Sequence, residues 1–489
     1  MIGNPPYQSK NKMQQEYGRA YLNRLRTRYP DVPGRADYCV FWFRRAHDEL
    51  PTGGRAGLVG TNTIRQNYSR EGGLDYIVEN GGVITEAVSS QVWSGEAAVH
   101  VSIVNWLKGY DMGKKKLYNQ LGDNRDSPWE VAELDWINSS LSPRVDTTSA
   151  KRLSVNIESG ACYQGQTHGH DGFLLAPGEA RKLIQASARN SDVIFPYLTI
   201  NDILIHNPPL PQRYIIDFHP RDVISSAKYS EPLKRVKELV LADRQSAAKI
   251  ETIRNEEALD DNPNSRVNKH HENFLKRWWL ISYPRKELIE KIATLPRYIA
   301  CGRVTKRPIF EFIDSSIRPG DSLQVFSLAD DYSFGILQSN THWGWFTEKC
   351  STLTRRFRYT SDTVFDTFPW PQSPSEKKVR DVANAAKALY QLRAKILAEG
   401  DLNLRELYRL LELEGDNPLK KTHRALDDAV RVAYGISLTG DVLQFLLTLN
   451  LDLAEKERKG NAIVGPGLPN FIVDPDSFVT DYCIRSTQL

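Results

Sequence analysis

At 489 residues the chain is too long for one compact domain and is expected to hold two to four. Hydrophobic residues make up 40% and charged residues 25%, which excludes global disorder, and a net charge of only +4 excludes a uniformly basic nucleic-acid coat, so any basic surface is local. The five cysteines, Cys39, Cys162, Cys301, Cys350 and Cys483, are scattered without a CxxC pair, against both a disulfide framework and a zinc site. They read as reduced thiols. With no apolar run of membrane-spanning length and no signal peptide, the expectation is a soluble, cytoplasmic protein that does not engage a membrane.

In chain order, the turn Asn4-Pro5-Pro6-Tyr7 opens the sequence, and residues 14–28 and 36–50 pattern as helices, the second ended by Pro51 and Gly53-Gly54. The run 55–60 reads as a buried strand delivering the polar turn Thr61-Asn62-Thr63, and 82–90 and 97–107 as two further strands. Residues 1–110 are therefore expected to form a piece of an α/β domain. Residues 111–155 are rich in Asp, Asn, Ser and Pro and read as a linker. From 156 to 372 short β-like runs (213–218, 322–327, 333–337) alternate with helical stretches at 233–247 and 272–281, which suggests an α+β domain. Beyond Pro369-Trp370-Pro371 the composition turns to Ala, Leu, Lys and Glu. A helical domain is expected over 373–489, with helices at 375–434 and 439–457 and a loosely ordered Gly/Pro-rich tail.

Asn4-Pro5-Pro6-Tyr7 carries the chemistry. Methyl transfer to the exocyclic amine of adenine needs a weakly nucleophilic nitrogen held in place with its lone pair freed from the ring. The Asn4 side-chain oxygen and the Pro5 carbonyl can each accept one N–H of such an amine. Pro5 and Pro6 rigidify the turn because φ is fixed at both. Tyr7 offers a face for a base swung out of a duplex. The second Asn-Pro-Pro, at Asn207-Pro208-Pro209, is followed by Leu210 and lacks the strand-helix setting, so it reads as a structural turn.

Two local basic patches stand out against the low net charge. Arg303, Lys306 and Arg307 form one; Lys349 with Arg355, Arg356 and Arg358 forms the other, interleaved with hydroxyls and with Phe357 and Tyr359. Such mixtures suit phosphates, guanine edges and stacking. His168, His170 and Asp171 and the pair His270-His271 supply metal-ligand residue types without a converging set, and no metal is expected. Trp278-Trp279, Phe41-Trp42-Phe43 and the leucines of 402–413 read as core packing.

Asn4–Tyr7, 56–64 and 92–104 together resemble three successive blocks of the adenine-specific methyltransferases found in single-chain restriction-modification enzymes of the MmeI-like family. Tyr163-Gln-Gly-Gln166, Arg297-Tyr-Ile-Ala300, Phe334-Gly335 and 365–371 resemble that family's target-recognition domain, and 421–430 its helical C-terminal region. The resemblance implies a fold made of the C-terminal half of a Rossmann-like methyltransferase sheet, an α+β target-recognition domain and a helical region. It implies double-stranded DNA as partner and S-adenosylmethionine as cofactor. In that family a nuclease segment, a helical spacer and a glycine-rich cofactor loop lie upstream of the tetrapeptide. Here only Met1-Ile2-Gly3 precede it, and the one glycine-rich stretch downstream, 460–469, is interrupted by Pro466 and Pro469. The expectation is an adenine-N6 DNA methyltransferase whose cofactor-binding half is absent, supplied by a complementary chain or lost. The alternative is a sequence-specificity subunit with a vestigial catalytic fragment.

Overall fold

The computed structural model describes residues 1–486 apart from 94–98, 123, 144, 148, 262, 264, 266, 354–355, 401 and 438–439. The chain divides into two compact units. The first comprises Met1–Lys151 with Glu348–Arg358 and Leu443–Leu451; the second comprises Arg152–Thr347, Tyr359–Val442 and Asp452–Leu489.

The first unit is built on a mixed six-stranded sheet in the order β1-β2-β4-β3-β5-β6, with β1 Ile2–Gly3, β2 Arg55–Thr61, β3 Gly82–Val92, β4 His100–Lys108, β5 Lys115–Gln120 and β6 Trp129–Leu134. Strand β1 runs parallel to β2, and β3 parallel to β5; β4 is antiparallel to both β2 and β3. Strands β1, β2, β3 and β5 therefore end at the same edge of the sheet. Helices α1 (Lys10–Arg28, broken at Gly18, φ +75°), α2 (Cys39–Glu49), α3 (Asn67–Arg70) and α4 (Tyr76–Glu79) complete it. Val40, Phe43 and Ile77 from the helical segments share one core with Leu58, Ala87, Val104 and Leu117 from the sheet. The expected linker is thus corrected. Residues 115–120 and 129–134 pair antiparallel and extend the sheet, with Leu117 buried in its core and Ala132 and Leu134 packed against it.

In the second unit, α5 (Ser154–Ser159), β7 (Cys162–Gln164), β8 (Leu174–Leu175), α6 (Pro177–Ala186), β9 (Ile194–Leu198), α7 (Ile200–Leu204), β10 (Arg213–Ile216) and α8 (Val223–Ser226) lead to the 32-residue helix α9 (Ser230–Asp261). Next come α10 (His270–Lys276), α11 (Lys286–Ile292), β11 (Arg297–Gly302), β12 (Val304–Thr305), β13 (Glu311–Asp314), β14 (Arg318–Pro319), β15 (Leu323–Phe326), α12 (Asp331–Gln338) and α13 (Asn340–Lys349). Two four-stranded sheets result, β14-β9-β10-β8 and β13-β11-β15-β7. The β-like run 333–337 is in fact helical. The Asp330 side chain accepts from the Ser333 backbone N–H at 2.7 Å and caps α12, all of whose residues are buried, which removes the periodicity that separates helix from strand.

After the hairpin of β16 (Ser351–Leu353) and β17 (Arg356–Arg358), which belongs to the first unit, come α14 (Glu376–Glu399), α15 (Leu404–Arg409), α16 (Pro418–Tyr434) and α17 (Val442–Arg458). The helices α14 to α16 fall in the same compact unit as 152–347, so position 372 is not a boundary between compact bodies. The tail is also better ordered than its composition suggests. Tyr482 stacks on Tyr390 at 4.3 Å, its hydroxyl donates to Glu311 at 3.0 Å, and Ile484 bridges to Ile313.

Candidate active-site edge and basic patches

Asn4–Tyr7 follows β1 directly and so lies at the edge where β1, β2, β3 and β5 end. The Tyr7 hydroxyl donates to the Asn4 side-chain oxygen. The Tyr7 ring meets Trp93, just past the end of β3, edge to face at 6.1 Å. Burial is the main cause that pushes the Tyr7 hydroxyl up to about 12, so it stays protonated and remains a donor. Pro5 is buried and Asn4 exposed, so the turn is anchored while its amide faces outward. Past the turn, the Gln8 carbonyl accepts from the Tyr38 backbone N–H at 2.9 Å, tying it to the start of α2.

The polar turn after β2 is held from the same helix start. Asp37 accepts from the Thr61 hydroxyl at 3.1 Å and the Thr63 hydroxyl at 2.5 Å, while its own N–H donates to the Ser69 hydroxyl at 3.0 Å. Beside it the buried Cys39 thiol, 3.8 Å from Thr61, is pushed up to about 11 by burial and then by Asp37, and so is not a nucleophile. Asn62 accepts from Arg65 Nε at 2.8 Å. Gln120, at the end of β5, accepts from the Val92 N–H at 2.9 Å and fixes the approach to Trp93. Residues 94–98, part of the third block, lie outside the described residues. Asp37 and Gln120 escaped the sequence reading, because each becomes relevant only once distant segments meet at one edge.

Chemically, the edge offers an outward amide oxygen beside an aromatic wall, suited to accepting N–H from a planar amine. The second Asn-Pro-Pro differs. The Asn207 amide donates to the carbonyls of Leu397 at 2.8 Å and Gly400 at 3.2 Å, and is consumed in packing.

Among the described residues, no glycine-rich loop fits S-adenosylmethionine. The glycine pairs flanking the sheet, Gly53-Gly54 before β2 and Gly81-Gly82 at the start of β3, both lead from helix into strand. A nucleotide loop needs the opposite sense, so that a helix N-terminus receives the ligand. The stretch 460–469 packs in the second unit: Val464 exchanges hydrogen bonds with Gln372, and a Cβ at Gly465 would meet Val155 at 2.6 Å.

The basic residues fall in both units. Arg303, Lys306 and Arg307 belong to the second. Lys306 is exposed, Arg303 half-buried, and the charge of Arg307 acts on His423 and Asp427 of α16 rather than standing alone. Arg358 is exposed at the end of β17 in the first unit; Arg355 and the side chain of Arg356 lie outside the described residues. Lys349 is half-buried. It donates to the Thr147 carbonyl at 2.9 Å, and burial first, then Arg70, lowers it to about 8, so it is not part of an exposed patch. His170 is committed too: its Nδ1 accepts from the Gly172 N–H at 2.9 Å, leaving Nε2 to donate to Asp243 at 2.8 Å.

The family description "MmeI, DNA-methyltransferase domain" matches residues 1–119, and "MmeI, target recognition domain" matches residues 151–372, together well over half of the chain. The chain belongs to the MmeI family. Among solved structures, the type IIL restriction-modification enzyme MmeI in complex with DNA is similar at a TM-score of 0.72 and 20% identity, over 93% of this chain and 57% of that one. At that identity the likeness concerns the fold. This chain thus spans 57% of the length of the MmeI chain it matches. The DrdV–DNA complex matches over 93% of this chain and 56% of its own at 9% identity (TM-score 0.34). The type ISP enzyme LlaBIII bound to DNA matches over 95% and 37% at 10% identity (TM-score 0.35). Both likenesses are too weak to build on. No curated protein matches. Among the described residues no helix is long and apolar enough to cross a membrane.

Proposed function

We infer that this MmeI-family chain takes part in site-specific methylation of adenine N6 in double-stranded DNA, with Asn4–Tyr7 receiving the target base. The observation that carries this is the outward Asn4 amide, held by Tyr7 beside Trp93 at the edge where four strands end. In this account the Asn4 oxygen and the Pro5 carbonyl accept the two N–H groups of the adenine amine and draw it toward tetrahedral geometry. Pro6 holds the turn rigid, and Tyr7 stacks on the flipped base. The mixed sheet is then the C-terminal half of a Rossmann-like core. The methyl donor implied by the family is S-adenosylmethionine. Since those glycine-rich segments do not offer a strand-to-helix loop for it, a complementary polypeptide completes the pocket in this account, pairing along the open side of β1, where Ile2 is 94% exposed. Arg303, Lys306 and Arg358, with Arg307, Arg355 and Arg356, supply contacts to DNA.

The enzyme and specificity-subunit readings separate on Asn4→Ala, assayed for labelled methyl incorporation and for DNA binding together with a cofactor-binding fragment. Loss of incorporation at unchanged DNA affinity supports the catalytic account. Equal incorporation by both forms overturns it and leaves the specificity-subunit reading.

A further inference from the structure

The second unit holds a cluster of arginines, Arg244, Arg277 and Arg285, without a salt bridge among the described residues, outside both basic patches seen in the sequence. Phe274 of α10 has two guanidinium groups beside its ring, Arg277 at 5.3 Å and Arg244 at 5.5 Å. Arg244, on α9, is only 7% exposed. Its Nη1 donates to the carbonyls of Phe274, Arg277 and Leu280 at 3.0–3.1 Å, while its Nη2 is buried without a hydrogen-bond partner. Burial first, then Arg277, lowers Arg244 to about 10, and no acidic group contributes to that shift. Buried like charges without a counter-ion are costly, and an anion brought to the surface beside them relieves that cost.

The neighbouring turn continues the pattern. Tyr283, 43% exposed, meets Phe274 edge to face at 5.8 Å and carries the Arg285 guanidinium at 5.5 Å from its ring centre. Arg285 adopts φ +52°, ψ +53°, a left-handed conformation that disfavours any residue with a Cβ other than Asn or Asp. The Nε atoms of Arg277 and Arg285 are both buried without a hydrogen-bond partner. A strained arginine over an exposed tyrosine, next to Arg277 and the buried Arg244, has little structural explanation: glycine at 285 would relax the backbone and arginine does not.

We propose that Arg277, Tyr283 and Arg285, backed by Arg244, form a surface that binds backbone phosphates of duplex DNA. It rests on the reading above that this chain binds DNA. The two exposed-side arginines supply the charge, Tyr283 supports the Arg285 guanidinium and offers its hydroxyl, and Phe274 fixes the spacing. The interaction is with phosphate, so it adds affinity and orientation without reading sequence.

The test is binding of the full chain to duplex DNA over a series of salt concentrations, for the wild type, Arg285→Gly, Arg277→Gln and Arg277→Lys. Removing one arginine–phosphate pair lowers the slope of log K against log[salt] by about 0.9, equivalent to roughly eightfold weaker binding at 0.1 M salt relative to 1 M. Arg285→Gly is the decisive variant because glycine removes the left-handed strain: the expected result is undiminished thermal stability with a lower slope and weaker binding. Arg277→Gln should lose a comparable slope and Arg277→Lys restore it. If the wild type binds and its slope is unchanged in both Arg285→Gly and Arg277→Gln, this site alone is overturned. A wild type with no salt-dependent DNA binding overturns the DNA-binding reading itself, and this surface with it.

Discussion

The hydroxyl of Tyr7 donates to the side-chain oxygen of Asn4, three residues earlier, so the turn carries its own hydrogen bond to the acceptor that the proposed function assigns to the target amine. An amide oxygen has two acceptor sites, and the Tyr7 proton takes one while orienting the other. Asn4→Ala removes the acceptor and is expected to reduce methyl transfer by about 100-fold or more, in line with removal of one preorganised hydrogen-bonding group at a reacting centre. Tyr7→Phe keeps the ring and loses only the orienting bond, so a much smaller loss is expected. A ranking in which Tyr7→Phe is as damaging as Asn4→Ala, at equal DNA affinity, would be inconsistent with this division of roles.

Asp37 is the joint between the start of α2 and the turn after β2, since it accepts from both Thr61 and Thr63. Asp37→Ala leaves two hydroxyl groups without that acceptor and should destabilise the first unit by about 1–3 kcal/mol. Urea denaturation reads this directly. Thr61→Val with Thr63→Val in the Asp37→Ala background should recover part of the loss; no recovery would show that the three groups do not act together.

How much of this was open to sequence reading depends on how local each feature is. The Asn4–Tyr7 turn was legible because its amide, its two prolines and its aromatic ring are contiguous, whereas the Tyr7–Asn4 hydrogen bond was not. Asp37 was not, because it acts on residues 24 and 26 positions away. The strands at 115–120 and 129–134 were hidden by polar composition: Lys115 and Asn119 share the face of Leu117, and Glu130 that of Ala132 and Leu134, so no clean alternation marks the residues that complete the core. Helix α12 failed in the opposite way, since full burial erased its amphipathic pattern. Arg285 gave no signal at all, as a left-handed arginine is a product of tertiary structure.

Asn156 shows how the second unit is clamped. Its buried side-chain amide donates to the carbonyls of Phe365 at 3.1 Å, Asp366 at 3.3 Å and Phe368 at 2.8 Å, within the Phe-Asp-Thr-Phe-Pro-Trp-Pro run. Asn156→Ala strands these carbonyls away from water. The expected loss is about 2–3 kcal/mol, read as a shift of the denaturation midpoint. A change under about 0.5 kcal/mol would mean that water replaces the amide.

Asp427 of α16 caps α13, accepting from the Asn340 N–H at 2.7 Å and its side-chain amide at 2.6 Å. Burial raises its carboxyl from 3.8 to about 6. A raised carboxyl binds its proton more tightly when folded, so its contribution to stability is full below about pH 4 and is lost as pH rises through about 6. The cost at neutral pH is up to about 3 kcal/mol. Asp427→Asn should therefore flatten the fall in stability between about pH 4 and 6, with the gain over wild type largest above it. Parallel stability–pH curves for the two proteins would contradict this.

The most direct measurement is base-resolved mapping of modified nucleotides in DNA from cells expressing the chain with a cofactor-binding half. The account predicts N6-methyladenine at one recurring sequence motif, absent from cells carrying Asn4→Ala. Methylation that survives Asn4→Ala, or a modification found on cytosine, would contradict it.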